Sequence, residues 1–183
     1  MGYMAAMWAP RRARQLGREH DLRHRPHSHT WEDERVLPLP LDVTDPASIQ
    51  AAVDAAGDVT VLINNDGASV ASPGILTHTD AEIRTNVETN FLGPLFLARA
   101  FAPTLYAKDE SIFIDIHSAM SWYAIGGVYS AGRAALWSAT NSLRLELAPE
   151  GVHVVGVHVV YVDTVMAATP PILRWTRPIS YAP

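Results

Sequence analysis

The chemistry open to this sequence is concentrated in three residues, Ser118, Tyr129 and Arg133. Tyr129 and Arg133 are four residues apart, a spacing that puts both on one face of a helix. A phenol beside a fixed positive charge gives up its proton more readily, because the cation favours phenolate. With a serine hydroxyl to hold a carbonyl oxygen, the pair suits proton donation in carbonyl reduction or proton removal in alcohol oxidation. Read singly, each has a plainer role: Ser118 as a strand-end hydroxyl, Tyr129 as a half-buried aromatic, Arg133 as a solvent-side ion-pair partner. Trp122 and Tyr123, just after Ser118, either wall a substrate pocket or fill a core. Other reactive sets are missing. Cys 0 removes thiol nucleophiles, thiolate metal sites and disulfides. His20, His24, His27 and His29 are the densest group of metal-type side chains, but Pro26 breaks the helix that would align them, so no metal site is read there.

These residues need strands and helices to position them, and the middle of the chain supplies both in alternation. Residues 36–43 read as a strand whose Pro38 and Pro40 delete amide donors on one side, which places it at a sheet edge. Thr44-Asp45-Pro46 starts a helix, and Ile49, Ala52 and Val53 keep its period until Gly57. Residues 59–63 form a short apolar run suited to a parallel strand covered on both faces. Thr79-Asp80-Ala81-Glu82 has the spacing of a capping box, and the helix it opens should kink at Gly93-Pro94. A second apolar strand covers 111–116, a helix 129–147 carries Leu136, Leu143 and Leu147 on one stripe, and 152–160 is the last strand. This alternation predicts an α/β fold, a Rossmann-like parallel sheet with helices on both faces. Ligands in such sheets lie beyond the carboxyl ends of the strands. The unusual polar residues fall there: Asp42, Asn64-Asn65-Asp66-Gly67, His117-Ser118, and Tyr161-Val162-Asp163-Thr164.

The ends of the chain read differently from this 36–168 domain. Residues 1–35 show no sustained period and read as an atypical, disordered segment, and 169–183, with four prolines, as an irregular tail. The length, 183 residues at 48% hydrophobic, suits one globular core that needs no staple. Residues 1–35 hold seven arginines against five acids, whereas 36–168 hold five cations against fourteen acids. An acidic body argues against nucleic acid as a partner, since phosphate binding needs a basic patch. The apolar start ends at Arg11 and Arg12, and Arg99 interrupts the next apolar stretch, so the reading is a soluble, cytoplasmic protein with no membrane partner.

Asp42-Val43, Asn64-Asn65-Asp66-Gly67, Asn90 within Thr89-Asn90-Phe91, Ser118, Tyr129-Ser130-Ala131-Gly132-Arg133 and Val162-Asp163-Thr164 follow the order and rough spacing of a known family. Over 36–168 the chain resembles the short-chain dehydrogenase/reductase family. The resemblance implies NAD or NADP as cofactor and a small carbonyl or alcohol as substrate. It implies Asn90, Ser118, Tyr129 and Arg133 as the catalytic set. It also implies that Asp42 and Val43 approach the adenine, Asn64 and Gly67 the adenosine side, and Val162 and Thr164 the nicotinamide carboxamide.

The departures from the family pattern are specific. Its glycine-rich strand-turn-helix, which holds the pyrophosphate, has no match in residues 1–35, whose glycines are Gly2 and Gly17. The lysine four residues after the tyrosine is Arg133, a planar fork rather than a point charge. The turn's alanine is Asp66, an acid near an anionic cofactor, and the proline and glycine before the last motif are Val159 and Val160. The expectation is therefore an impaired oxidoreductase whose N-terminal strands are missing and whose dinucleotide binding is weak or lost. The alternative is a non-catalytic relative acting as an oligomerising interaction module, or an incomplete gene product. Without those strands the sheet would present an open edge, so the 36–43 strand should dock beside the 59–63 strand or residues 1–35 should cover it. The apolar helix surfaces predict a homo-oligomer.

Overall fold

The computed structural model describes residues 5–9, 12–17, 36–68 and 74–160. Its strands are β1 (Ala5–Ala9), β2 (Arg12–Gly17), β3 (Val36–Pro40), β4 (Val61–Asn64), β5 (Ser111–Ser118) and β6 (Val152–Val159). Its helices are α1 (Pro46–Ala55), α2 (Asp80–Val87), α3 (Gly93–Tyr106) and α4 (Val128–Leu147). The strand order is β3-β2-β1-β4-β5-β6, a Rossmann-like sheet with β4, β5 and β6 mutually parallel. The two-proline strand β3 lies at the sheet edge and pairs with β2 alone, as its missing amides require.

The N-terminal segment departs from its composition. Residues read as atypical supply the hairpin β1–β2, which takes the two places between β3 and β4. Backbone pairing gives the physical reason: β4 would otherwise present an unpaired row of amides and carbonyls. The hairpin also changes the sheet from parallel to mixed. β2 is parallel to β3, but β1 is antiparallel to both β2 and β4. Trp8 pairs with Val61, so the carboxyl end of β1 lies at the amino end of β4. The histidine group at 20–29, Val162, Thr164 and the 169–183 tail lie outside the described residues.

The helices begin where the sequence signals them. Asp45 caps α1 by accepting from the Ala47 amide at 3.0 Å, with Pro46 in the first turn. Thr79 and Glu82 close a reciprocal capping box on α2. The expected break at Gly93-Pro94 occurs as a π-helical turn over Glu88–Leu92, and the Gly93 amide bonds to the Glu88 carbonyl. Pro94 has no amide to give to the residue 90 carbonyl, so the ladder opens just before it. Gly93 is also where α3 meets the chain after β3, since a Cβ there would sit 2.6 Å from Val43 Cγ2.

The core lies between one face of the sheet and the helices, with Leu62, Leu97, Phe101, Phe113 and Leu136 almost fully buried. On the other face, Val61, Ile63, Ile112, Ile114 and Ile116 are half-buried and Val155 and Val157 exposed. Those apolar runs anticipate a second layer, and the helices that would cover this face are not among the described residues.

Candidate active site

Beyond the carboxyl ends of β4 and β5 lies a set of polar side chains that are buried and tied to one another. Ser118 ends β5, 8% exposed, and its Oγ accepts from the Met120 amide at 3.2 Å, capping a 3₁₀ turn. Its hydroxyl proton is left to donate elsewhere. Tyr129 sits half-buried in the first turn of α4. The loop between them turns at Gly127, whose φ of 56° is open to glycine and strained for other residues. Ser130 Oγ fixes this loop to α4, donating to the Tyr123 carbonyl at 2.7 Å and accepting from the Gly126 amide at 3.0 Å. Trp122 and Tyr123 are 55% and 59% exposed, so they line the loop surface and do not fill a core.

Arg133 does not face solvent. It is 5% exposed, its Nη2 donating to the Asp66 carbonyl at 2.9 Å and its Nη1 to the Ile116 carbonyl at 3.3 Å. Its Cζ lies 5.4 Å from the centre of the Tyr129 ring. The guanidinium thus bolts the end of β4 to the end of β5 and keeps a positive charge beside the phenol. A Cβ on Gly67 would collide with Nη2. Glycine at 67 and arginine at 133 are therefore fitted to each other.

Asn90 is fully buried and its amide fully used. Oδ1 accepts from the Ala68 amide at 3.0 Å, and Nδ2 donates to the carbonyls of Ala68 and Asn86 at 2.8 and 3.0 Å. The structure thus gives Asn90 a holding role on the turn. Asn64 points inward too, its Nδ2 donating to Asp115 Oδ1 at 2.8 Å. Asp42 closes its own loop, accepting from the Thr44 amide and hydroxyl, and Val43 is buried against Gly93. Asn64, Gly67, Asn90 and Arg133 are therefore brought together, Ser118 and Tyr129 lie on the adjoining β5 and α4, and Asp42 and Val43 sit at the end of β3.

Asp115 and Thr140 were missed by sequence reasoning, and His117 was marked only as a polar residue at a strand end. The signal was the alternation of Ser111, Phe113, Asp115 and His117 on one face of an otherwise apolar strand. Burial pushes the Asp115 carboxyl up to about 6, against the pull of donors from Thr140 and Asn64 and of the Arg133 charge. Burial pulls His117 down to about 4, helped by the positive charges of His158, Arg133 and Arg144. The His117 ring stacks on His158 at 4.7 Å, and His158 stacks on Trp122 at 4.1 Å.

Among the described residues no group of three or more histidines and acids could hold a metal ion, and no helix is long and apolar enough to cross a membrane.

Comparison with known proteins identifies the family. A family model for short chain dehydrogenases matches residues 13–171. The chain is similar to short-chain dehydrogenase PC-15 of Penicillium crustosum, 34% identical over 169 residues, covering 83% of this chain and 60% of that protein. It is similar to an NADP-dependent 3-hydroxy acid dehydrogenase of Schizosaccharomyces pombe, 30% identical over 70% of this chain and 52% of the other. A short chain dehydrogenase from Burkholderia cenocepacia, solved in complex with NADP, superposes with a TM-score of 0.71 and 34% identity, covering 76% of this chain and 59% of that one. This chain thus spans half to three-fifths of the length of these relatives. With a matched model over most of its length and relatives 34% identical over more than two thirds of it, the chain belongs to the short-chain dehydrogenase/reductase family.

Proposed function

We propose that this chain is a nicotinamide-dependent oxidoreductase domain that interconverts a small carbonyl and its alcohol, with its hold on the dinucleotide weakened. The observation that carries the reading is the placement of Tyr129 on the first turn of α4 with the Arg133 guanidinium 5.4 Å from its ring centre, while Ser118 ends β5, the strand that Arg133 also holds. In the reducing direction the Tyr129 hydroxyl gives its proton to the carbonyl oxygen as hydride reaches the carbon, and in oxidation it takes that proton back. Ser118 donates its free hydroxyl proton to the same oxygen and orients it. Arg133 fixes the Tyr129 ring face and both strand ends, and Asn90 holds the turn from below. A bound nicotinamide would supply or accept the hydride.

The described residues fit the reacting end of a nicotinamide dinucleotide better than its pyrophosphate. In the parallel part of the sheet ligands sit at the carboxyl edge, but β1 is antiparallel, so its own carboxyl end lies at the opposite edge. No glycine turn leading into a helix is found at that place among the described residues. Loss of two charge-assisted hydrogen bonds to the pyrophosphate weakens binding by roughly 10²- to 10⁴-fold. Titration of the purified chain with NADH and NADPH, followed by fluorescence, should show weak binding and slow turnover of a test ketone. Micromolar affinity with ready turnover would overturn the weakening. No binding at all would favour the non-catalytic module. Exposed Tyr106 on α3 and Trp137 and Leu145 on α4 support a homo-oligomer, which light scattering checks; a monomer at high micromolar concentration would count against it.

A further inference from the structure

The 64–68 turn is gripped at three points by side chains from three elements. Asp115 of β5 accepts from Asn64, Arg133 of α4 donates to the Asp66 carbonyl, and Asn90 of the π turn pairs with both the amide and the carbonyl of Ala68. The Asp115 grip calls for explanation. A carboxylate at 0% exposure, flanked by Ile114 and Ile116, pays a desolvation penalty that an apolar residue would avoid. Its two oxygens are both used, one by Asn64 and the other by the Thr140 hydroxyl at 2.6 Å. An acceptor with two oxygens is the group that can bind both donors at once while offsetting the buried Arg133 charge.

We propose that Asp115 is a positioning residue. Acting through Asn64 and braced by Thr140, it fixes the 64–68 turn against β5, so that the turn's outer face is set before any nucleotide arrives. The purpose assigned to the turn rests on the nicotinamide-dependent reading above, but the clamp does not.

Hydrogen exchange of the full chain tests the clamp without a nucleotide. Asp115→Ala should speed exchange in peptides covering 64–68 by about tenfold, the equivalent of one charge-assisted hydrogen bond, while peptides covering the remote α1 keep their rates. Asn64→Ala should give the same local loss, and the double variant should add nothing further. Asp115→Asn retains an acceptor oxygen and should restore much of the protection. Faster exchange in α1 as well as the turn, or an unchanged turn, overturns the proposal. If Asp115→Ala fails to fold, Asn64→Ala and Asp115→Asn carry the same test. A parallel NADPH titration separates the two ideas. Where the unaltered chain binds NADPH, Asp115→Ala should weaken it about tenfold; an unchanged affinity overturns the positioning role. If the unaltered chain binds none and the exchange pattern is as expected, the nicotinamide reading falls and the clamp stands.

Discussion

From β4 to β6 each strand runs parallel to its neighbour, and the turn after β4 is fixed by side chains from other elements. From β1 to β3 the sheet reverses direction at β1, and the polar residue at its carboxyl edge, Asp42, is tied to its own neighbours Thr44 and Ser48. On the reading proposed above, the first region carries the residues that would meet a carbonyl. On the same reading, the second stands where the dinucleotide's phosphates would be held. The contrast shows that the two halves are structurally separable: the parallel order of β4, β5 and β6 stands intact while the strands beside it are made by a hairpin.

Substitutions can break this comparison or sharpen it. The largest effect is expected at Arg133→Ala, which frees two strand-end carbonyls and leaves Asp115 buried without its nearby cation, a loss of about 3–5 kcal/mol by denaturant titration. In the hairpin half, Met7→Pro removes a ladder bond from a strand paired on both sides and should cost about 3 kcal/mol. Exchange should rise in 5–17 while β5 and β6 stay protected; uniform unfolding would show that the halves are not separable. Gly93→Ala drives a methyl into Val43 and should cost about 1–3 kcal/mol, read as a lower thermal midpoint.

The pH dependence divides along one strand. The raised Asp115 carboxyl favours the folded state while protonated, so its contribution is complete below about pH 4 and is lost as pH rises through about 6. The depressed His117 acts the other way: its contribution is present above pH 6.5 and is lost as pH falls through about 4. The unaltered chain should therefore gain on Asp115→Asn, and lose ground to His117→Leu, as melts are taken from pH 7 down to 4. The smallest effect belongs to Thr79→Ala, which opens the α2 capping box for about 1 kcal/mol and should leave the exchange of 64–68 unchanged.

Local chemistry made much of this legible. Proline pairs marked β3 as an edge, Asp45 and Thr79 marked helix starts, and the Tyr129–Arg133 spacing marked one helix face. The hairpin was not legible, because β1 is chosen by backbone groups on β4, more than fifty residues away, and leaves no period of its own. The burial of Arg133 was not legible because its partners are backbone carbonyls, which no side-chain pattern records. Asp115 was hidden by the apolar residues that alternate with it, and nothing local to Asn64 signals that its side chain donates to Asp115.

The arginine at 133 also changes which reagents can reach the chemistry. Lys108 is the chain's one lysine, and its Nζ donates to the Gly57 carbonyl just before β4, at the end of the sheet opposite Ser118 and Tyr129. A guanidinium does not deprotonate in proteins and is not a target of amine-directed acylation or reductive methylation. Side-chain labels of that kind will therefore fall on Lys108, far from the candidate site, and leave the guanidinium beside Tyr129 unmodified.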